Sequence, residues 1–218
     1  MTRCWKFCVQ GRSLRAAEPE MSTAVVVLAA GSGSRFGGRK LIADFKGRPL
    51  LQRAIDAACG SRARICVLVL GADSESVLDR VESRRCSIVL NGAWPEGIAS
   101  SIRTGLALAL EFDACVFMLA DQPFVTSANI DSLCNAAGVR PGDRQRPPPI
   151  VALRMGRAWG SPVLFPRHDF AALERLEGDA GAKRYAQSQT RRLRFVTAGD
   201  PRAFCDIDSP ADLRALRV

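Results

Sequence analysis

The 218-residue sequence predicts a single α/β domain with a mostly parallel sheet and helices on both of its faces. Strand-like and helix-like segments alternate along the chain, and the strand-like ones are apolar on both faces, as strands buried inside a parallel sheet are. With 47% hydrophobic residues, the chain can build one substantial core but hardly two. We expect one domain over residues 21–218, preceded by a disordered extension over residues 1–20.

Seven segments have the composition of buried strands, and helical patterns fall between many of them. The predicted strands are Ala24–Ala30, Ile65–Gly71, Cys86–Leu90, Ala114–Ala120, Ile150–Leu153, Pro162–Phe165 and Leu193–Thr197. The predicted helices are Pro49–Ala58, Ser74–Arg84, Gly97–Leu110, Ser127–Ala137, Phe170–Leu176 and Ala180–Ser188. Near the end, Ser209, Pro210 and Asp212 indicate an N-cap, a first-turn proline and a capping-box acid. The proline-rich residues 139–150 predict a surface loop within the same domain.

Charge and hydropathy exclude several functional classes. The formal net charge is +9, and 27 of the 31 cationic residues are arginine. Because the arginines are scattered, and aromatic RNA-binding motifs and zinc fingers are absent, we expect no nucleic-acid partner. An anionic small-molecule substrate explains the charge as well. No apolar run approaches the roughly 20 residues that cross a bilayer, so we predict a soluble protein without membrane contact, and the cysteine usage described next predicts a cytoplasmic one.

Eight cysteines are enough for disulfide bonds or a metal site. However, Cys66, Cys86 and Cys115 fall inside predicted strands, where a free cysteine behaves as a small hydrophobic group. No two cysteines have the C-x-x-C spacing, and the single histidine, His168, excludes a histidine-rich zinc site and a conventional Ser-His-Asp triad. We therefore expect reduced thiols, as in a cytosolic protein.

A basic, glycine-rich loop follows the first predicted strand. Residues 28–40 read LAAGSGSRFGGRK. Successive glycines let the backbone approach a ligand and turn N–H groups toward it, and Arg35, Arg39 and Lys40 add positive charge. The pattern is neither G-x-G-x-x-G nor a Walker A loop, since Phe36 and Leu41 occupy the deciding positions. Ligands of open α/β sheets bind beyond the carboxyl ends of strands, so this loop predicts a phosphate site.

Three later aspartates are candidate metal ligands. Asp121 ends the apolar strand ACVFMLA, where a buried carboxylate is costly without a partner, and Mg²⁺ bridging it to triphosphate oxygens would satisfy it. Asp206 and Asp208 are two residues apart, so an extended chain points both the same way. The alternative is helix capping: Asp121 would cap the helix after it, although Thr126 and Ser127 already serve that helix, and Asp208 or Ser209 would cap the last helix.

The stretch WPEGIASSIRTG opens a helix with small residues and free N–H groups. Gly97, Ser100 and Ser101 lie in its first turn, where a nucleobase edge or a ribose can be bound. On local evidence alone, an N-capped helix without a ligand is the favoured explanation of the pattern. Arg103, one turn further on, faces either phosphates or solvent.

Together these motifs resemble the MobA-like family of molybdopterin nucleotidyltransferases. The loop and the following GRPLL turn are similar to the family pattern LAAG-x-S-x-R-x-G-x-x-K with a GKPLL-like turn. The stretches that also fit are NGAWPEGIASSIRTG, LADQPFVT, GSPVLFP, GDAGAK and CDIDSPADL. The resemblance spans about residues 24–216 and is strongest to molybdenum cofactor cytidylyltransferases. It implies a Rossmann-like domain of the nucleotide-diphospho-sugar transferase type.

The resemblance also implies roles for individual residues. Lys40 and Arg35 would neutralise the phosphates and, with Asp121, form the catalytic set. Mg²⁺ would be held by Asp121, Asp208 and Asp206. The implied nucleotide contacts are Leu28, Ala29, Ala30, Gly31, Gly33, Arg35, Lys40, Gly97, Ser100 and Ser101. Ser161 departs from the family, whose members often carry histidine or asparagine there, so the acceptor contacts are not carried over.

The implied reaction is transfer of CMP from CTP to molybdenum-bearing molybdopterin, with release of pyrophosphate and delivery to a xanthine-dehydrogenase-family enzyme or its chaperone. Guanylyltransferase relatives commonly read LAGG, and the extra methyl group of Ala30 narrows the base pocket, which favours CTP over GTP. Two alternatives stay open. The acceptor is another phosphorylated compound, such as a sugar or polyol phosphate, or the protein is a non-catalytic accessory protein that binds molybdopterin.

Overall fold

The computed structural model describes residues 21–71, 73–138 and 147–216. The predicted extension over residues 1–20 and most of the predicted loop at residues 139–150 lie outside the described residues. The strands are β1 (Thr23–Ala29), β2 (Asp44–Phe45), β3 (Arg48–Pro49), β4 (Ile65–Leu70), β5 (Cys86–Leu90), β6 (Ala114–Leu119), β7 (Ile150–Met155), β8 (Ala158–Pro166) and β9 (Leu193–Thr197). The helices are α1 (Leu50–Gly60), α2 (Ser74–Leu78), α3 (Ile98–Leu106), α4 (Ser127–Ala137), α5 (Phe170–Leu173), α6 (Ala182–Ser188) and α7 (Pro210–Ala215).

The central sheet has the strand order β5-β4-β1-β6-β8-β7-β9. Strands β5, β4, β1 and β6 run parallel, as do β7 and β9, whereas β8 pairs antiparallel with both β6 and β7. Gly156, at φ 57°, supplies the left-handed residue with which the chain turns from β7 into β8. The sheet is therefore mostly parallel and confirms the predicted fold class.

Side chains of β1 point alternately to the two faces of the sheet. Each face is buried by its own hydrophobic core. Val25, Val27 and Ala29 pack on the side covered by α1 and α4, while Val26 and its neighbours pack on the side covered by α3 and α6. A small antiparallel pair, β2–β3, and α7 enclose a third cluster. The helices thus lie on both faces, as predicted.

Several helices end earlier than the sequence pattern predicts. The predicted helix at residues 74–84 stops at Leu78, although Val81 beyond it is still buried in the core. The predicted capping box of the last helix is confirmed: Ser209 Oγ accepts a hydrogen bond from Asp212 N at 3.2 Å, and Asp212 Oδ2 accepts one from Ser209 N at 2.7 Å. Over the described part of the chain, no helix is both long and apolar enough to cross a membrane.

Candidate active site

A cavity of about 580 Å³ opens at the carboxyl ends of β1 and β6. The glycine-rich loop forms one wall, the start of α3 another, and the segment before α7 a third. Of the residues predicted from the sequence, all except Ser100 line this cavity: Leu28, Ala29, Ala30, Gly31, Gly33, Arg35, Lys40, Gly97, Ser101, Asp121, Asp206 and Asp208. The fold therefore brings together residues that lie far apart along the chain.

The glycine-rich loop bends back on itself through two short 3₁₀ turns, Ser34–Phe36 and Lys40–Ile42. Gly33 begins the first turn at φ 61°, a left-handed conformation that glycine adopts without strain. A Cβ atom at Gly33 would lie 3.0 Å from Cβ of Lys40. Gly33 therefore leaves room for the Lys40 stem to cross the loop and enter the cavity.

Lys40 joins the loop to two of the aspartates. Its Nζ atom lies 2.6 Å from Oδ2 of Asp121 and 3.0 Å from Oδ1 of Asp208, and its side chain is only 11% exposed. The sequence predicts Lys40 beside phosphates, whereas the structure places it between the carboxylates. The physical reason is that partly buried carboxylates need a positive partner, and Lys40 supplies one to both.

These carboxylates also control the protonation of Lys40. Burial alone would lower the pKa of the Lys40 ammonium, but the charges and hydrogen bonds of Asp121 and Asp208 outweigh this effect and raise the pKa above its ordinary value. Lys40 is therefore fully charged at neutral pH.

Asp121 retains an unused ligand atom. Its Oδ2 accepts the hydrogen bond from Lys40, while its Oδ1 is buried and accepts no hydrogen bond from any described group. Asp208 is more open and also pairs with Arg35 at 3.0 Å. Because the Arg35 side chain is 81% exposed, that pair contributes little to stability. The buried oxygen of Asp121 beside a second carboxylate fits a hard divalent cation such as Mg²⁺, which prefers oxygen ligands.

Asp206 has a hydrogen-bond partner, Gln122, that was not among the residues predicted from the sequence. Its Oδ1 accepts a hydrogen bond from Nε2 of Gln122 at 2.8 Å, and Gln122 is buried. Burial raises the pKa of the Asp206 carboxyl, and the neighbouring charges of Asp121 and Asp208 raise it further, against the opposing effect of that hydrogen bond. Gln122 directly follows Asp121 in the motif LADQPFVT, and this position could have indicated that Gln122 belongs to the site.

Asp121 and Asp208 do not cap helices, whereas the alternative that Ser209 caps the last helix is confirmed. Thr126 caps α4 by accepting from Asn129 N, and Ser209 caps α7. Asp121 and Asp208 therefore keep their side chains turned toward Lys40.

Gly97 shapes the wall at the start of α3. Glycine adopts its φ of 105° without the strain that a side chain would cause. A Cβ atom at this position would lie 2.5 Å from the carbonyl of Gly178. Ala99 N donates to the same Gly178 carbonyl at 3.0 Å, which holds residues 177–181 against the helix. As a result Asp179 also lines the cavity, a contribution that the sequence argument missed.

The two serines of α3 are engaged by Asn91. Nδ2 of Asn91 donates to Oγ of Ser100 at 2.8 Å and to Oγ of Ser101 at 3.0 Å, and all three residues are buried. The Ser100 hydroxyl in turn donates to the Gly97 carbonyl. Ser100 thus stabilises the helix start from behind the cavity wall, while Ser101 lies at the wall itself.

Other residues near the motifs have structural contacts. Arg103 does not line the cavity, and its side chain is 34% exposed: its Nη1 donates to the Leu176 carbonyl, and its Nη2 lies 3.6 Å from Oε2 of Glu96. Ser161 Oγ accepts from Leu119 N at 3.2 Å at the end of β6. Trp94 lines the cavity, and a Cβ atom at Gly71 would lie 3.0 Å from its ring.

The chain is similar to several known proteins along most of its length. Nicotine blue oxidoreductase of Paenarthrobacter nicotinovorans is 27% identical over 193 residues, which cover 84% of this chain and 91% of that protein. The structure of an Rv0371c homologue from Mycobacterium sp. strain JC1 is 28% identical, with a TM-score of 0.74 over 89% of this chain and 94% of the other. Rv0371c from Mycobacterium tuberculosis H37Rv is 25% identical, with a TM-score of 0.76 over 91% and 98% of the two chains.

The family profile described as the MobA-like NTP transferase domain matches residues 25–193. That range contains the glycine-rich loop, Lys40, the start of α3 and Asp121, and it covers well over half of the chain. The chain therefore belongs to the MobA-like NTP transferase family, a family of nucleotidyltransferases.

Proposed function

We propose that this protein transfers CMP from CTP to molybdenum-bearing molybdopterin and releases pyrophosphate. The observation that carries the proposal is the convergence of Asp121 and Asp208 on Lys40, beside a glycine-rich loop at the carboxyl end of a parallel strand. This arrangement supplies positive charge for a triphosphate and oxygen ligands for a cation within one cavity. The volume of about 580 Å³ lies within the ordinary range of small-molecule sites.

The glycine-rich loop is the proposed triphosphate site. Gly31 and Gly33 let the backbone approach phosphate oxygens, and Arg35 and Lys40 contribute positive charge. Gly97 and Ser101, on the wall formed by α3, are the proposed contacts of the base or ribose, with Leu28, Ala29 and Ala30 beneath them. Ser100 would support this wall through Asn91 without direct contact.

Asp121, Asp208 and Asp206 are the proposed ligands of Mg²⁺. The unpartnered Oδ1 of Asp121 supports this assignment, and Rv0371c has been solved as a complex with manganese. When bound, such a cation would withdraw charge from the α-phosphate and neutralise the triphosphate oxygens.

The proposed reaction needs little from the protein beyond alignment and charge. An oxygen of the acceptor's terminal phosphate forms a bond to the α-phosphorus of CTP, and the bond from that phosphorus to the oxygen bridging to the β-phosphate breaks, which releases pyrophosphate. A terminal phosphate is already a competent nucleophile, so no histidine base is required. The single histidine, His168, is exposed and does not line the cavity. Lys40 would hold positive charge beside the phosphates, where preorganised charge accelerates transfer most.

Ala30 supports a pyrimidine rather than a purine. It lines the cavity at the end of β1, where guanylyltransferase relatives commonly carry glycine. The extra methyl group is the basis on which we propose the smaller cytosine.

The other candidates differ in acceptor or in chemistry. A sugar or polyol phosphate would use the same phosphate site and metal ligands. A non-catalytic molybdopterin carrier for a xanthine-dehydrogenase-family enzyme would not need Lys40, Asp121 and Asp208 together. One relative is named an oxidoreductase, so family membership alone does not determine the reaction.

Pyrophosphate release separates these candidates. Each of the four common NTPs is incubated with Mg²⁺ and with molybdenum-bearing molybdopterin, a sugar phosphate, a polyol phosphate or no acceptor. We expect release with CTP and the molybdopterin acceptor only. Release only with a sugar or polyol phosphate would overturn the proposal that molybdopterin is the acceptor. No release with any NTP would overturn the transferase reaction.

A further inference from the structure

Three cysteines converge away from the candidate active site. Sγ of Cys86 lies 3.5 Å from Sγ of Cys66 and 3.7 Å from Sγ of Cys59. All three sulfur atoms lie within 4.8 Å of one another. Among the described histidine, cysteine, aspartate and glutamate side chains, no other group of three gathers its ligand atoms this closely.

The fold builds this thiol cluster from three elements. Cys66 and Cys86 are direct partners in the parallel pairing of β4 with β5, and Cys59 lies near the end of α1, which packs on the same face. Both cysteines of the sheet stand at the amino ends of their strands. The candidate active site lies at the carboxyl ends, and the six residues of β4 span about 20 Å. The cluster is therefore separate from the nucleotide site.

The sulfur separations match those around a metal ion. With metal–sulfur bonds of about 2.3 Å, tetrahedral thiolates lie about 3.8 Å apart and trigonal thiolates about 4.0 Å apart. The observed 3.5 Å and 3.7 Å need only small adjustments to reach these values. A disulfide, with its bond of about 2.05 Å, would need a larger movement and would use only two of the three sulfurs.

Accessibility and charge also suit a metal. Cys66 is buried, whereas Cys59 and Cys86 are partly exposed, so an ion has a path from solvent. The guanidinium of Arg85 donates to the Cys59 carbonyl at 2.6 Å. Three thiolates and one divalent ion leave a single negative charge, which Arg85 is placed to offset.

We propose that Cys59, Cys66 and Cys86 form a three-thiolate site for Zn²⁺. Binding releases the three thiol protons, forms three zinc–sulfur bonds and leaves a fourth position for water, since no described carboxylate or imidazole joins the cluster. The site is independent of the proposed nucleotidyl transfer.

The test is metal titration of the full-length, reduced, metal-free protein. Co²⁺ bound by thiolates gives a sulfur-to-cobalt charge-transfer absorption that carboxylates do not give, so the Asp121 site stays silent in this measurement. We expect this absorption at one equivalent of Co²⁺, and its loss on addition of one equivalent of Zn²⁺. Zn²⁺ affinity is then measured by competition with a chromophoric chelator.

Matched variants decide the assignment. Cys59→Ser and Cys86→Ser alter partly exposed side chains and should each weaken Zn²⁺ at least about tenfold, the lower end of what losing even an outer-shell partner costs. Cys134→Ser, a partly exposed thiol on α4, and the double variant Cys4→Ser/Cys8→Ser should bind as the wild type does. Circular dichroism checks that each variant is folded. Absence of the cobalt absorption in the wild type, or unchanged affinity in folded Cys59→Ser and Cys86→Ser, would overturn the proposal.

Discussion

Lys40 is the residue on which the candidate site depends most. One ammonium group compensates two carboxylates that come from different parts of the chain, Asp121 after β6 and Asp208 before α7. Its removal would leave both acids facing each other across a partly buried space, where charge is costly. Lys40 thus links the stability of the domain to the electrostatics of the cavity.

Substituting Lys40→Met should therefore reduce both stability and activity. We expect a loss of about 1–3 kcal/mol in the free energy of unfolding, measured in urea, because hydrogen-bonded acids lose their donor. Turnover should fall at least about 100-fold, as for removal of one preorganised electrostatic group. Mg²⁺ should restore more stability to this variant than to the wild type, since a cation can compensate the freed carboxylates.

Lys46→Met is the matched control, because Lys46 is exposed and lies outside the cavity lining. It should leave stability and turnover close to wild type. Equal effects of the two substitutions would contradict the role assigned to Lys40.

Tyr185 contacts a second buried polar group, the carboxylate of Asp169. It is the only tyrosine in the chain, and its hydroxyl donates to Oδ1 of Asp169 at 2.7 Å. Burial and the Asp169 carboxylate raise the pKa of Tyr185 to about 12 from its ordinary value of 10.0. The folded protein therefore keeps a proton that the unfolded chain releases, and this contribution to stability is complete below pH 10.0 and lost as pH rises toward about 12.

Tyrosinate absorbance measures this directly. The folded protein should titrate near pH 12 and the denatured protein near pH 10.0. A single midpoint near the lower value in both states would show that the Tyr185–Asp169 contact does not persist in solution.

At the scale of elements, hydrophobic pattern and capping residues predicted most of the framework. The bounds of β5, β9 and α4 coincide with the predicted ones, because apolar runs and the Thr126 cap define them. The direction of β8 was not predictable, since a strand buried on both faces carries no pattern that distinguishes parallel from antiparallel pairing. Its direction depends on the tight turn at Gly156 and on its neighbours in the sheet.

Gly97 is the position where an element depends on a single missing side chain. Substituting Gly97→Ala would force a Cβ atom against the Gly178 carbonyl and strain a backbone with φ of 105°. We expect a loss of about 1–3 kcal/mol in unfolding free energy. The KM for the nucleotide should also rise, because the contact between α3 and residues 177–181 shapes the cavity.

Gly92→Ala is the control for that substitution, since a Cβ atom at Gly92 meets no atom within 4 Å. Its stability and KM should stay near wild type. If Gly97→Ala behaves in the same way, the segment around Gly178 moves freely and does not shape the site.

At the scale of the whole molecule, the sequence predicted which segments meet but not how their side chains pair. Motif positions placed the glycine-rich loop, α3 and the aspartates at one edge of a parallel sheet, and they line one cavity. Lys40 contacts Asp121 and Asp208, which lie 81 and 168 residues away from it in the sequence. The three thiols of the proposed zinc site likewise come from separate elements. Such pairings depend on packing across the sheet, which local pattern and spacing do not contain.

The proposed function depends on a cation-dependent nucleotide site at this edge of the sheet. Calorimetric titration of CTP in the presence and absence of Mg²⁺ tests it on the wild type, on Asp121→Asn and on Asp79→Asn, whose exposed side chain lies outside the cavity lining. We predict Mg²⁺-dependent binding to the wild type and to Asp79→Asn, and at least about tenfold weaker binding to Asp121→Asn because a ligand oxygen loses its charge. CTP binding that is indifferent to Mg²⁺ and equal in all three proteins would contradict the account.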